Sequence, residues 1–251
     1  GLIGKKMREL FLPEEGEQWG SFDYSQQEPR LVVHYALKNK MDGAGILAEA
    51  YMKDPSTDFH KIVAKMANLD RKTAKTINLG LFYGMGKTKL SMQLNLDKDE
   101  AKELFNNYHN KVPFVRNLSS GLQEFANTTQ LIYTLEDRFC RFDKWEPINK
   151  EWNEEKRIFI VRRYERNEET GENEIKEIPV PILPRREAED AYLAARARSL
   201  QDPDPEAKFF TGSYQPAFTY KALNKLIQGS AADMTKKAMV MLFKEGIIPH
   251  I

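Results

Sequence analysis

The sequence contains a single cysteine, no long apolar run and almost no net charge. Cys140 alone cannot form an internal disulfide, and so little cysteine favours a reducing compartment. No apolar stretch is long enough to cross a bilayer and no signal peptide is visible, so no membrane partner is expected. The formal net charge of +1 gives no overall nucleic-acid signature, and any such affinity must come from local clusters such as Arg71, Lys72 and Lys75.

The most informative segment runs from Asp70 to Gly84 and places two cations and a tyrosine on one face of a predicted helix. Arg71, Lys75, Leu79 and Tyr83 follow at four-residue steps, so they lie nearly above one another along about 18 Å. A guanidinium fork and a lysine one turn away suit the oxygens of a triphosphate, and a tyrosine ring suits base stacking. The alternative is a solvated basic face on an ordinary amphipathic helix.

The last turns of this helix carry residues that are poor choices for stability alone. Asn78, Gly80 and Gly84 lie there, and each glycine costs about 1 kcal/mol relative to alanine in a helix. We therefore expect a close approach to the backbone at this end of the helix.

Three segments, taken together and in order, resemble the motifs of family A DNA polymerases. They are Arg71-x-x-x-Lys75-x-x-Asn78-x-Gly80-x-x-Tyr83-Gly84, similar to motif B; Phe22-Asp23-Tyr24-Ser25-Gln26-Gln27-Glu28-Pro29-Arg30, similar to motif A of many phage enzymes; and Asn224-x-x-x-Gln228-Gly229-Ser230-Ala231-Ala232-Asp233, similar to the helix before motif C. The resemblance implies an α+β fold, in which a polymerase palm of antiparallel sheet and helices carries a mostly helical fingers subdomain. It also implies DNA-templated DNA synthesis from dNTPs on primer-template DNA, with two Mg²⁺ ions.

The resemblance further implies a role for each matching residue. Catalytic roles fall on Asp23, Arg71 and Lys75; nucleotide binding on His60, Arg71, Lys75, Leu79, Tyr83, Gln26 and Glu28; DNA binding on Asn224, Gln228, Tyr83 and Gly84; and metal binding on Asp23 and Tyr24. Leu79 stands where many members carry an aromatic residue, which implies weaker stacking and altered discrimination against dideoxynucleotides. Without the resemblance, Asp23 could equally be a strand-end cap or turn residue, and His60 an ordinary polar residue. Asn224 and Gln228 alone indicate only a polar helix face.

The segment around Asp23 and Glu28 is expected to join a strand to a helix. Residues 19–24 are short and aromatic-rich and follow a turn-like stretch, which predicts a buried strand that delivers Asp23 to a metal site. Ser25 and Glu28 match a capping box, but Pro29 would then occupy the fourth helical position. We therefore expect the helix to begin one or two residues later, and the resemblance identifies Glu28 as the steric gate against a ribose 2′-hydroxyl.

The composition, 41% hydrophobic and 30% charged, suits one or two soluble globular units. The motifs divide the chain into a first part of the palm at 1–40, fingers at 41–140, an insertion with a β-hairpin at 141–216 and a second part of the palm at 217–251. Local patterns predict helices at Lys98–Tyr108, Val115–Ala126 and Ala188–Leu200, and a pair of strands at Lys156–Tyr164 and Ile175–Leu183.

Residues 246–251 lie where the family continues into the His-Asp-Glu hairpin of motif C, and Ile247–Ile251 indicates the start of a strand. We expect a separate polypeptide, or a remainder of the gene, to supply motif C, and the chain alone to be inactive. A sequence that merely stops short is the alternative. Two other interpretations are a single-subunit RNA polymerase relative and a catalytically inactive nucleic-acid-binding fragment. Glu28 and Asn78-Leu79-Gly80 favour deoxynucleotides over the first of these.

Overall fold

The computed structural model describes residues 10, 12–18, 20, 22–82, 85–153, 155–167, 170–171, 173–201 and 214–247. Helices and small antiparallel sheets make up this part of the chain, which confirms the predicted α+β class. The helices are α1 (Gln27–Lys38), α2 (Ala44–Lys53), α3 (Phe59–Ala67), α4 (Arg71–Phe82), α5 (Lys87–Leu94), α6 (Lys98–Lys111), α7 (Pro113–Thr129), α8 (Arg185–Gln201) and α9 (Ala222–Lys244). A 3₁₀ turn at Thr219–Lys221 leads into α9.

One apolar cluster joins the helices that surround α4. Its largest fully buried side chains include Phe59, Tyr108 and Phe82, and the rings of Phe59 and Phe82 lie 6.1 Å apart. Burial of such large apolar side chains supplies most of the stability of a helical domain. On α4 itself the cations Arg71 and Lys75 remain exposed, so the core holds one side of this helix and leaves these two side chains accessible.

The boundaries of α6 and α7 follow from their local sequence. The Asp97 side chain accepts the backbone N–H groups of Asp99 and Glu100, and the Glu100 side chain accepts the Asp97 N–H, which completes a capping box. Pro113 is the first residue of α7, where the N–H that it lacks has no intrahelical partner. The two predicted helices in this region are confirmed.

Helix α1 begins at Gln27, one residue later than an N-cap at Ser25 would place it, which confirms the predicted later beginning. The N-cap is Gln26, which adopts the left-handed conformation at φ 54° and caps the helix with no side-chain bond. Pro29 therefore occupies the third helical position, where an amide would have no helical partner in any case. The first intrahelical bond runs from the Arg30 N–H to the Gln26 carbonyl at 3.2 Å.

The prediction of a buried strand at 19–24 was wrong for the residues that the structure describes. Gly20 and residues 22–24 pair with none of the described strands, and Phe22 is 81% exposed. An extended segment becomes a strand only where a neighbouring strand shares its hydrogen bonds, and a local pattern cannot report that neighbour. Trp19 and Ser21 lie outside the described residues.

The described residues between 131 and 216 form three small antiparallel sheets. Strand β1 (Leu131–Tyr133) pairs with β2 (Phe139–Arg141); β3 (Lys144–Pro147) lies between β7 (Leu183–Pro184) and β8 (Tyr214–Pro216); and β5 (Ile158–Arg166) lies between β4 (Glu151–Asn153) and β6 (Asn173–Pro179). The register places Val161 opposite Ile178 and confirms the predicted strand pair. Helix α8 confirms the predicted helix at Ala188–Leu200.

Polar contacts attach the turn of the β1–β2 hairpin to α9. Asp233 on α9 is only 4% exposed, and its carboxylate accepts hydrogen bonds from the Thr134 hydroxyl and the Glu136 backbone amide. The Arg138 guanidinium pairs with the same carboxylate and also donates to the Gly229 carbonyl at 3.2 Å. A buried carboxylate is tolerated only when its oxygens are satisfied in this way, so Asp233 fixes the position of the hairpin.

The preceding turn of α9 packs directly on the same hairpin. The Ser230 hydroxyl lies 2.8 Å from the Tyr35 hydroxyl and accepts the Leu135 N–H at 3.1 Å. A Cβ atom added to Gly229 would come within 2.5 Å of Thr134 Cγ2. Gly229 is therefore required by the close approach of the hairpin to the helix.

Replacement of Gly229 by alanine is expected to lower the free energy of unfolding by about 1–3 kcal/mol, because Thr134 is held by Asp233 and cannot move aside easily. Gly121→Ala is the matched control, since an added Cβ at Gly121 in α7 meets nothing within 4 Å. That variant should be neutral or more stable by up to about 1 kcal/mol. Urea titration measures both, and equal effects of the two substitutions would contradict the packing argument.

Asp233→Asn is expected to destabilise the protein by about 1–3 kcal/mol at neutral pH, because it weakens three hydrogen bonds to one buried carboxylate at once. Burial raises the pKa of Asp233, but bonds from Thr134, Glu136 and Arg138 outweigh this effect, so the pKa lies below its ordinary value. Because the pKa of Asp233 is lower in the folded than in the unfolded protein, its ionised carboxylate stabilises the folded state above about pH 4. This stabilisation is lost as the pH falls through the folded-state pKa. The difference between wild type and variant should shrink from about pH 5 to about pH 3, and a constant difference would contradict this assignment.

Candidate functional site

Helix α4 carries two candidate phosphate-binding cations, and its first turn lies beside the first turn of α3. The Arg71 guanidinium pairs with the Asp58 carboxylate through Nε at 2.8 Å and Nη2 at 2.7 Å. Asp58 is also the N-cap of α3, where it accepts the Lys61 N–H. The Arg71 side chain nevertheless remains 49% exposed, and Lys75 is exposed one turn further along. Both cations are therefore available at the surface.

The ion pair with Arg71 helps to keep the pKa of Asp58 low. Burial raises the pKa of Asp58, but the hydrogen bonds from Arg71 and from backbone amides, together with the Arg71 charge, lower it below its ordinary value. Asp58 is thus ionised at neutral pH and orients the guanidinium. An anionic ligand at Arg71 has to compete with this carboxylate or bind the donors that it leaves unused.

His60 follows Asp58 in the first turn of α3 and is buried, with 6% of its surface exposed. Its Nδ1 lies 3.1 Å from the side-chain nitrogen of Asn78, which is fully buried on α4. Burial lowers the pKa of His60, and although the charge of Asp58 opposes this shift, Arg71 and Lys75 add to it. The imidazole is therefore neutral at physiological pH and acts through hydrogen bonds.

Gln26 connects the segment that contains Asp23 to the beginning of α3. Its side-chain nitrogen donates to the Thr57 carbonyl at 2.8 Å, and its side-chain oxygen accepts the Phe59 N–H at 2.8 Å. Asp23 and Tyr24 are exposed just before this anchor, while Glu28, just after it, is half-buried and already has an interaction partner. The structure thus brings the motif A segment next to His60, although the Gln26 amide itself is used within the protein.

The close approach expected near the end of α4 is found at Gly80. A Cβ atom there would lie 2.7 Å from Met85 Sδ and 3.2 Å from Met85 Cβ, and the Met85 N–H donates to the Gly80 carbonyl at 2.7 Å. Gly80 thus accommodates the chain's own Met85. Leu79 is half-buried and packs against the core, whereas Tyr83 and Gly84 lie outside the described residues.

Asn224 and Gln228 lie one turn apart on α9, away from the buried stripe of that helix. Leu223 and Ile227 are each 1% exposed, whereas Asn224 is half-buried and Gln228 is exposed. Their DNA-binding role remains a prediction, and the same is true of the roles assigned to the other candidate residues.

A cavity of about 590 Å³ lies beside the beginning of α1 and is bordered on one side by α9. It is lined by Tyr24, Ser25, Gln27, Arg30, Leu31, His34, Pro55, Leu135 and Met234. Arg30 is held there by hydrogen bonds to the Ser25 and Pro55 carbonyls and by the Tyr51 ring, 4.2 Å from its guanidinium carbon. Arg30 therefore has a structural role.

Within the described part of the chain, no group of three or more His, Cys, Asp or Glu side chains is arranged to hold a metal ion. The candidate Asp23 stands as a single exposed carboxylate, followed by the Tyr24 carbonyl. Among the same residues, none of the helices has the length and apolar character that a bilayer crossing demands.

Sequence reasoning did not identify Tyr108, which lies behind His60 and Asn78. Its hydroxyl donates to the Asn78 side-chain oxygen, and the residue is fully buried on α6. Thirty positions separate Tyr108 from Asn78, and a local pattern carries no signal for a pair so far apart in sequence.

Comparison with known proteins identifies the family. The sequence profile described as DNA polymerase family A matches residues 2–162. This chain belongs to DNA polymerase family A. A DNA-directed DNA polymerase of Pseudomonas phage M6 is 29% identical over 96% of this chain and 32% of its own length. DNA polymerase I of Helicobacter pylori is 35% identical over 48% of this chain and 13% of its own length.

The fold also matches a solved polymerase structure. The POL domain of Pol1 from M. smegmatis, in complex with DNA primer-template and dNTP, superposes with a TM-score of 0.52 at 21% identity. The match covers 89% of this chain and 30% of that protein. This chain thus spans about a third or less of the length of these relatives.

Proposed function

We propose that this chain forms palm and fingers parts of a DNA-templated DNA polymerase, which transfers a nucleotidyl group from a dNTP to a primer 3′-hydroxyl. Membership of DNA polymerase family A supports this function, and so does the similarity to a phage protein named as a DNA-directed DNA polymerase. The proposed division is palm at 1–40 and 217–251, fingers at 41–140 and an insertion at 141–216.

The proposal depends mainly on one observation: the segment that contains Asp23 is attached beside the turn of α4 that carries Arg71. Gln26 bonds Thr57 and Phe59, so the chain that bears Asp23 leads directly to the turn where Asp58 pairs with Arg71. The candidate metal ligand Asp23 and the candidate phosphate-binding residue Arg71 are therefore connected through Gln26 and residues 57–59. Such convergence is what transfer of a nucleotidyl group from a triphosphate requires.

Each residue at the proposed site has a distinct task. Arg71 offers a planar set of donors to phosphate oxygens, Lys75 adds an exposed charge, and neutral His60 adds a hydrogen bond. These groups hold the triphosphate and offset the charge that develops during transfer. We assign discrimination against the ribose 2′-hydroxyl to Glu28 and base stacking to Tyr83.

Divalent metal ions are used by family A polymerases, and the residues at Asp23 suit them. An exposed carboxylate followed by a backbone carbonyl offers the hard oxygen ligands that Mg²⁺ prefers, and Mg²⁺ sites are commonly completed by substrate phosphates. Asp23 and Tyr24 would hold the ion. When bound, Mg²⁺ activates the attacking hydroxyl and stabilises the leaving pyrophosphate.

The DNA side of the proposed site is α9. Asn224 and Gln228 offer neutral amides, which suit the minor-groove acceptors that all base pairs share. Further along the helix Val240, Met241 and Phe243 are 54–63% exposed, a large apolar area for one helix end. This exposure supports the proposal that a segment carrying motif C, with the second metal-binding carboxylate, packs nearby in the complete enzyme.

Binding of dATP with Mg²⁺ tests the proposal on this chain. Lys75→Ala is expected to weaken dATP binding about three- to tenfold in isothermal titration, because one charge contact to phosphate is lost. Lys65→Ala is the matched control, since Lys65 is an equally exposed lysine on the neighbouring helix α3. It should change the affinity less than twofold.

Equal losses in the two lysine variants would contradict a specific site on α4 and would indicate only general charge attraction. A wild-type chain that is folded but binds no dATP would contradict the proposed nucleotide site itself.

A further inference from the structure

Three buried polar side chains from three helices form one continuous hydrogen-bonded chain behind the proposed nucleotide site. Tyr108 on α6 bonds the side-chain oxygen of Asn78 on α4, and the side-chain nitrogen of Asn78 lies 3.1 Å from His60 Nδ1 on α3. Tyr108 and Asn78 are fully buried and His60 is 6% exposed. Polar groups removed from water to this extent are costly unless every donor meets an acceptor.

The orientation of the Asn78 amide follows from this requirement. Burial raises the pKa of Tyr108, so its hydroxyl keeps its proton and needs an acceptor. The Asn78 oxygen is that acceptor. With the amide turned over, its N–H would face the Tyr108 oxygen and its oxygen would face His60, so the phenol proton would lose the acceptor that it now has.

This orientation also fixes the proton on the histidine ring. The Asn78 nitrogen can only donate, so His60 Nδ1 must accept and carries no proton. A neutral imidazole with a bare Nδ1 carries its proton on Nε2. We propose that Asn78 and Tyr108 are positioning residues that hold His60 as the Nε2–H tautomer, so that its other edge donates a hydrogen bond to the phosphate of the bound nucleotide.

The proposal rests on the proposed function, in which His60 contacts the triphosphate. Phosphate oxygens are acceptors, so only the tautomer with a proton on Nε2 makes a favourable contact there. Since His60 is held neutral beside Arg71 and Lys75, protonation does not supply the donor at physiological pH. The choice of tautomer therefore decides whether His60 attracts or repels the ligand.

The test uses Tyr108→Phe, which removes one hydroxyl and keeps the ring that fills the core. Long-range ¹H–¹⁵N correlation spectra of the chain labelled at histidine report the tautomer directly, and His60→Gln assigns the His60 signals among the four histidines. Tyr51→Phe is the matched control, because Tyr51 is also buried, yet its hydroxyl bonds to none of the described residues.

The wild type and Tyr51→Phe are expected to show His60 protonated on Nε2. Tyr108→Phe is expected to show a mixture of this tautomer with the Nδ1–H form.

In parallel, Tyr108→Phe should weaken binding of dATP with Mg²⁺ about three- to tenfold, because His60 then donates its hydrogen bond to phosphate only part of the time. Tyr51→Phe should stay within about twofold. In the His60→Gln background, Tyr108→Phe should add no further loss, since the two act through the same contact.

An unchanged tautomer in Tyr108→Phe would overturn the proposal, and so would a loss of dATP affinity that persists in the His60→Gln background. A wild type with the Nε2–H tautomer that binds no dATP would overturn the proposed function, and with it the ligand assigned to His60. Because the spectra need no ligand, they separate failure of the hydrogen-bonded chain from failure of the nucleotide site.

Discussion

The side-chain amide of Gln26 holds together two segments that are 31 to 33 positions apart in the sequence. One hydrogen bond reaches the Thr57 carbonyl and the other the Phe59 N–H, so the amide spans the first turn of α3. The cost is a left-handed backbone at Gln26, a conformation that non-glycine residues rarely adopt. The same residue is the N-cap of α1, so its backbone begins α1 while its side chain holds the beginning of α3.

The other polar contacts around the candidate site depend on that arrangement. With α3 fixed, Asp58 can both cap its own helix and pair with Arg71, and His60 can reach the Asn78 amide within the core. A buried hydrogen bond adds only about 1 kcal/mol of stability, but a buried group left without a partner costs about 1–3 kcal/mol. These contacts therefore act mainly by excluding other arrangements of the helices, while the apolar core supplies the stability.

Features with a local cause could be predicted from the sequence. The capping box at Asp97, the proline at the beginning of α7 and the β-branched and aromatic residues at the beginning of β5 each act locally, and the corresponding elements are confirmed. The beginning of α1 is confirmed too, because moving the N-cap from Ser25 to Gln26 places Pro29 where its missing N–H is tolerated. The left-handed conformation of Gln26 was not predicted, since it accompanies hydrogen bonds to Thr57 and Phe59, which are distant in sequence.

Features that require distant partners could not be predicted in this way. The segment before Asp23 has the composition of a strand but pairs with none of the described strands. Asn78 was noticed as unusual in a helix, but its partners His60 and Tyr108 lie on two other helices. The motif resemblance predicts roles for Arg71, Lys75 and His60. The structure adds that Asp58 holds the side chain of Arg71 and that Asn78 holds the ring of His60.

Primer extension is the measurement that tests the central claim most directly. This chain would be incubated with Mg²⁺, dNTPs and primer-template DNA, alone and together with a polypeptide that begins at the His-Asp-Glu hairpin of motif C. The account predicts template-directed extension only in the mixture, and its loss when Asp23 is replaced by asparagine. Association of the two polypeptides without any extension, or extension that survives Asp23→Asn, would contradict it.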